Sequence, residues 1–108
     1  MEFKETPSFT RIIIKLATED EYLALQLELI ANPNKGRIIQ QTGGARKIRL
    51  KIQGRGKSGG ARVIYYWQDA DETIWLLYAY RKNEQSDLTA DQRRQICCII
   101  NDIKGGLV

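Results

Sequence analysis

Lys47-Ile48-Arg49-Leu50-Lys51-Ile52-Gln53 alternates cation and aliphatic residue with a period of two. Successive side chains leave opposite faces of a pleated chain, so this period marks a β-strand half sunk in a core. Ile48, Leu50 and Ile52 then face the core, and Lys47, Arg49 and Lys51 share the opposite face. Arg62 to Gln68 and Thr73 to Tyr80 are rich in β-branched and aromatic residues and read as two more strands. Asp69-Ala70-Asp71-Glu72 suits the turn between them. Gly54-Arg55-Gly56-Lys57-Ser58-Gly59-Gly60 separates the first strand from the second and reads as a loop.

Helices flank this meander. Phe3-Lys4-Glu5 suits a short edge strand, and Thr6-Pro7 suits an N-cap followed by proline at the first helical position. A helix over Pro7 to Leu16 follows, although Ile12-Ile13-Ile14 would also fit a strand. Thr18-Glu19-Asp20-Glu21 is a capping box. It opens a helix on which Leu23, Leu27 and Ile30 share one face. Asn32-Pro33-Asn34-Lys35-Gly36 stops it. Beyond the meander, Thr89 and Gln92 form a second capping box. Ile96, Ile99, Ile100 and Ile103 then give a helical stripe closed by Gly105. The expected fold is α+β: two N-terminal helices, an antiparallel sheet of three to four strands, and a C-terminal helix. The 108 residues show no repeat and no linker, which predicts a single domain over 1–108.

The charge is unevenly placed. Residues 1–34 carry a net −3, residues 35–62 a net +9, and residues 63–108 a net −2. The middle segment holds nine basic side chains and no acidic one. Such a stretch is a footprint for a polyanion, where an ordinary solvated surface mixes signs. Arg46, Lys47, Arg49, Lys51 and Arg55 are the candidate nucleic-acid contacts it supplies. Tyr65, Tyr66, Trp67, Trp75, Tyr78 and Tyr80 are mostly expected in the core. Alternation sends Tyr66 to the face of Arg62 and Ile64, which makes it a candidate for stacking on unpaired bases.

Several classes are excluded or disfavoured. There is no histidine, so a Ser-His-Asp or Cys-His mechanism within one chain is excluded. Cys97 and Cys98 are adjacent, which suits neither a structural disulfide nor a four-ligand zinc site; no metal and no cofactor are expected. Gly54-x-Gly56-x-x-Gly59 matches a dinucleotide fingerprint by letter, yet strands are expected on both sides where a helix should follow. No apolar run approaches the roughly 18 residues of a membrane span. The N-terminus has no signal-peptide pattern, so a cytoplasmic protein without a membrane partner is expected.

Three blocks carry a family resemblance: Gly43-Gly44-Ala45-Arg46-Lys47-Ile48-Arg49, Gly59-Gly60-Ala61-Arg62-Val63-Ile64-Tyr65-Tyr66, and Tyr80-Arg81-Lys82-Asn83-Glu84 with Asp87-Leu88. Together they resemble toxins of the RelE superfamily, closest to the HigB branch. The resemblance implies a toxin of a microbial toxin–antitoxin pair, a ribosome-dependent endoribonuclease that cuts messenger RNA in the decoding site. It implies a cognate antitoxin as partner, a helix-turn-helix DNA-binding protein in the HigB branch, with operator DNA reached only through that antitoxin. Members use lysines and arginines on the sheet, and Lys57, Arg62, Arg81 and Lys82 occupy matching regions. Arg62 and Arg81 are the expected holders of the scissile phosphate, and Lys82 or Lys57 the expected proton-transfer group. A tyrosine in the C-terminal segment is often part of the pattern, and none occurs here after Tyr80. Two other readings stand beside this one: a non-catalytic nucleic-acid-binding module, and a gyrase-directed toxin of the ParE-like branch, which lacks the catalytic basic cluster.

Overall fold

The computed structural model describes residues 1–53 and 60–108. The element order is β1 (Glu2–Glu5), α1 (Pro7–Leu16), α2 (Glu19–Ala31), β2 (Arg37–Ile38), β3 (Arg46–Leu50), β4 (Ala61–Gln68), β5 (Thr73–Arg81) and α3 (Ala90–Lys104). The class is α+β, as expected. The sheet differs in detail from the expected antiparallel one. It has five strands in the order β1-β5-β4-β3-β2, and β1 runs parallel to β5, from Glu2 opposite Thr73 to Glu5 opposite Leu76.

The helix starts follow the sequence. The Thr6 hydroxyl accepts from the Phe9 amide at 3.1 Å and caps α1 with Pro7 at its first position. Thr18 and Glu21 close a reciprocal capping box on α2, and Thr89 and Gln92 do the same on α3. Each such cap is worth about 1 kcal/mol.

Helices cover both faces of the sheet. On one face α1 and α2 lay Phe9, Ile13, Leu16, Leu25 and Leu29 over Ile48, Leu50, Val63, Tyr65, Ile74 and Leu76. On the other, α3 lays Ile96, Ile100 and Ile103 over Ile64, Leu77 and Tyr80. The buried face of α2 is not the one that Leu23, Leu27 and Ile30 share. Leu25 and Leu29 are the inward residues, while Leu23, Leu27 and Ile30 are about half exposed. Both sets have helical spacing, and packing of α2 against β3 selects the pair that meets the sheet.

The 32–36 turn is held by Tyr65, whose hydroxyl donates to the Pro33 carbonyl at 2.7 Å and accepts from the Gly36 amide at 2.9 Å. A Cβ on Gly36 would stand 2.7 Å from the Tyr65 ring, so only glycine permits this approach. The turn delivers the chain into β2, a two-residue edge strand that sequence periodicity does not reveal.

Candidate nucleic-acid interface

Strand register brings several of the basic residues to one end of the sheet. Arg49 stands directly opposite Arg62 across β3 and β4, and Lys47 stands opposite Ile64. Both pairs lie on the face that α3 covers further along, because Ile64 packs under α3. Lys82 follows β5, and its amide donates to the Gly60 carbonyl at 3.0 Å, extending the ladder one step beyond Arg81. This places Lys82 at the Arg62 end of the strand pair. The Lys82 ammonium reaches the Ser86 carbonyl at 3.3 Å.

These groups line an open cleft of about 570 Å³. Lys35, Arg37, Lys47, Arg49, Lys51, Arg62 and Lys82 contribute to it, with Glu28 as the one acid among the described lining residues, already paired to Lys35. Two like charges directly opposite on adjacent strands are destabilising by a fraction of a kcal/mol up to about 1 kcal/mol. A surface that keeps such a pair at the centre of further cations concentrates positive potential there. Lys35 and Arg37 come from the short strand β2 and its approach, so their membership shows only in the folded chain.

Asp87 closes one side of the group. Its carboxylate pairs with Lys47 at 3.5 Å and with Arg93 of α3 at 3.1 Å. The Leu88 amide bonded to it is the main cause holding its carboxyl below the usual range, and the Lys47 and Arg93 charges add to this. Tyr80 lies opposite Arg62 in the β4–β5 register and is 5% exposed. Its hydroxyl has no hydrogen-bond partner among the described residues. Burial first, and the negative Asp87 second, push this phenol up, with Arg62 acting in the other direction.

Three candidates lie elsewhere. Arg81 stands opposite Ala61, whose side chain belongs to the α1–α2 core, so it leaves the sheet on the face opposite Arg62. There it lines a groove with Ile12, Lys15 and Leu16 of α1. The cause is a β-bulge: Ile64 faces Tyr78 and Tyr65 faces Leu76, leaving Leu77 as an extra residue on β5. One extra residue inverts every later side chain. Strict alternation from Trp75 would have put Arg81 beside Arg62; the bulge puts Tyr80 there. Arg46 stands opposite Tyr65, also on the helix-hairpin face, and donates to the Asn34 and Gly36 carbonyls at 3.1 and 2.7 Å. Tyr66 shares the face of Arg62 but lies four residues along β4, between Gly44 and Lys104, whose ammonium sits 5.8 Å from the ring centre. At about 3.3 Å per residue that is roughly 13 Å from Arg62. Arg55 and Lys57 lie outside the described residues.

Among the described residues there is no cluster of three or more metal-ligating His, Cys, Asp or Glu side chains, and no helix long and apolar enough to cross a membrane. Cys97 and Cys98 are free thiols on α3.

Solved structures share this fold. One is a chain of the intact E. coli RelBE toxin–antitoxin complex, at 14% identity and a TM-score of 0.59, covering 74% of this chain and 94% of that one. Another is the free E. coli toxin RelE carrying two arginine-to-alanine substitutions, at 15% identity and a TM-score of 0.56, covering 79% of this chain and 86% of that one. The family model described as the RelE toxin of the RelE/RelB toxin–antitoxin system matches residues 2–104. With a match that spans all five strands and all three helices, the chain belongs to the RelE toxin family.

Proposed function

We propose that this toxin is a ribosome-dependent endoribonuclease of the HigB branch that cleaves translated messenger RNA at the basic cleft. The carrying observation is the Arg49–Arg62 pair, two cations held face to face with Lys82 beside them. Family membership supplies the class; the cleft supplies the chemistry.

RNA carries its own nucleophile, the 2′-hydroxyl next to each phosphate. In the proposed step the 2′-oxygen bonds to phosphorus and the bond from phosphorus to the 5′-oxygen breaks. A 2′,3′-cyclic phosphate is left, and a proton ends on the departing 5′-oxygen. Arg62 and Arg49 grip the phosphate oxygens and neutralise the charge that builds up in the transition state. Lys82 transfers a proton, with Lys57 as the alternative. Arg81, on the opposite face, is given no phosphate contact in this reading. Lys47, Lys51 and Arg37 guide the flanking backbone. Ribosomal positioning of the message supplies much of the remaining acceleration, so the free protein is a weak nuclease.

The partner in this reading is a cognate antitoxin with a helix-turn-helix fold, and the pair acts in the cytoplasm, where ribosomes are. Primer extension on messages from induced cells tests the proposal. Cuts at sites under translation, with growth restored by the adjacent gene product, are expected. Intact messages accompanied by trapped gyrase–DNA breaks would replace this reading with the ParE-like one.

A further inference from the structure

One carboxylate stands in the basic cleft, and it comes from outside the segment that supplies the cations. Residues 35–62 hold no acid. Glu28 belongs to the last turn of α2, and it is the one acid among the described residues that line the cleft. A negative side chain at that end of a helix opposes the helix dipole, so the dipole does not account for an acid here. Glu28 also lines the neighbouring groove between α2 and β3, beside Arg49 and Lys51. Its field therefore falls on cations at the centre of the cleft.

Glu28 holds Lys35 in an ion pair, with the two side chains 36% and 51% exposed. The backbone around Lys35 is fixed. Its amide donates to the Asn32 carbonyl at 3.1 Å. The Tyr65 hydroxyl ties Pro33 to Gly36, and Arg46 donates to the Asn34 and Gly36 carbonyls. The ammonium, on its flexible stem, is thus the part of Lys35 that can change partner. An exposed pair of this kind is weak and screened by salt, so a phosphate held beside it by Arg49 and Arg62 can compete for Lys35. A phosphate without those contacts faces the carboxylate with Lys35 already engaged.

We propose that Glu28 is a selectivity residue of the cleft. It occupies Lys35 and repels phosphate, which weakens the grip on stray single-stranded RNA, while a message positioned by the ribosome is still accepted. Specificity is a difference of affinities, and the carboxylate supplies the unfavourable side of it. The inference rests on the reading of the cleft as an RNA site.

The test measures binding apart from cleavage, with a labelled 2′-deoxy single strand that lacks the nucleophile. The full-length protein, Glu28→Gln, Glu28→Ala, Lys35→Ala, Glu28→Gln/Lys35→Ala and Arg49→Gln are titrated with it between about 50 and 200 mM salt. Circular dichroism is the folding control. Gln keeps the shape and helix propensity of Glu, and Glu28→Ala removes the charge in a second way. Both Glu28 variants should bind about three- to tenfold tighter at the low-salt end, with a salt slope steeper by about 0.7, the value for one more phosphate contact on a single strand. Most of that gain should vanish in the Lys35→Ala background. Cleavage of naked RNA at limiting protein should rise by a similar factor, and cleavage of ribosome-bound message by much less. A gain smaller than about twofold at low salt, a gain untouched by Lys35→Ala, or an equal gain on ribosome-bound message would each overturn the proposal. So would a loss of stability with no tighter binding, which would leave Glu28 a structural partner of Lys35 alone. Arg49→Gln tells the two readings apart. If it fails to weaken binding, the cleft is not the RNA site and both fall. If it weakens binding while neither Glu28 variant tightens it, only the selectivity role falls.

Discussion

Arg62 and Ile64 leave the same strand, on the same face, one step of the pleat apart. Ile64 is fully buried beneath α3; Arg62 is partly exposed in the cleft. Nothing in the strand itself separates them. α3 packs over Ile64, Leu77 and Tyr80, with Tyr66 against the same cluster, leaving the Arg49–Arg62 end of the face open. One face of one sheet is thus divided into a half that holds the fold and a half left open as the basic cleft. The helix, not the strand composition, draws the boundary.

The largest effect that would sharpen this division is on stability. Ile64→Ala removes a fully buried side chain and should cost about 2–5 kcal/mol, read from denaturant unfolding. Ribosome affinity at permissive temperature should be unchanged. A loss of affinity without a loss of stability would break the division.

Next comes Lys82→Ala. Single-turnover cleavage at saturating ribosome should fall by about 10²-fold or more, with little change in ribosome affinity. Arg81→Ala, on the other face, should leave the rate within a few fold of wild type. Equal losses from the two would mean that the face on which a side chain stands does not decide its role.

Arg49→Gln should move the two properties in opposite directions. It relieves a like-charge pair, so stability should rise by about 0.2–1 kcal/mol. RNA-dependent binding should weaken, with a salt slope shallower by about one unit. Tyr66→Ala, in the covered half, should lose stability and keep that slope.

The smallest effect concerns Asp87, which joins the halves by pairing Lys47 of the open half with Arg93 of α3. Its carboxyl is held below the usual range when folded. A depressed folded pKa contributes stability that is present above the unfolded value, about 3.9, and is lost as pH falls through the folded one. Asp87 is about half exposed, so the contribution is small. Asp87→Asn should therefore be slightly less stable than wild type at neutral pH, and the two unfolding curves should converge below about pH 4. Curves that stay parallel to pH 2 would assign Asp87 no part in joining the halves.

The legible parts of the molecule are those decided locally. Alternation in Lys47 to Leu50, the two capping boxes and the isoleucine stripe of α3 each depend on residues a few positions apart and are found where the pattern puts them, although the strand stops at Leu50, short of Gln53. What escapes the pattern is decided by partners far along the chain. α2 has two apolar sets at helical spacing, and only packing against β3 selects Leu25 and Leu29. Arg81 changes face because of the bulge at Leu77, which shows in the pairing with β4 and not in the composition of β5. Lys35 and Arg37 join the cleft through a two-residue strand too short to carry a period.

The parallel pairing of β1 with β5 has a consequence for synthesis. β1 leaves the ribosome 71 residues ahead of its hydrogen-bonding partner, Glu2 opposite Thr73. At 5–20 residues per second, roughly 4–14 s pass before that partner exists. Until then α1 and α2 have no completed sheet to cover, and Lys82, made after β5, has not joined Arg49 and Arg62. A nascent chain therefore carries its cations without their arrangement. Chains stalled at increasing lengths should show β1 protected from protease only once β5 has emerged, and protection at a shorter length would separate closure of the sheet from assembly of the cleft.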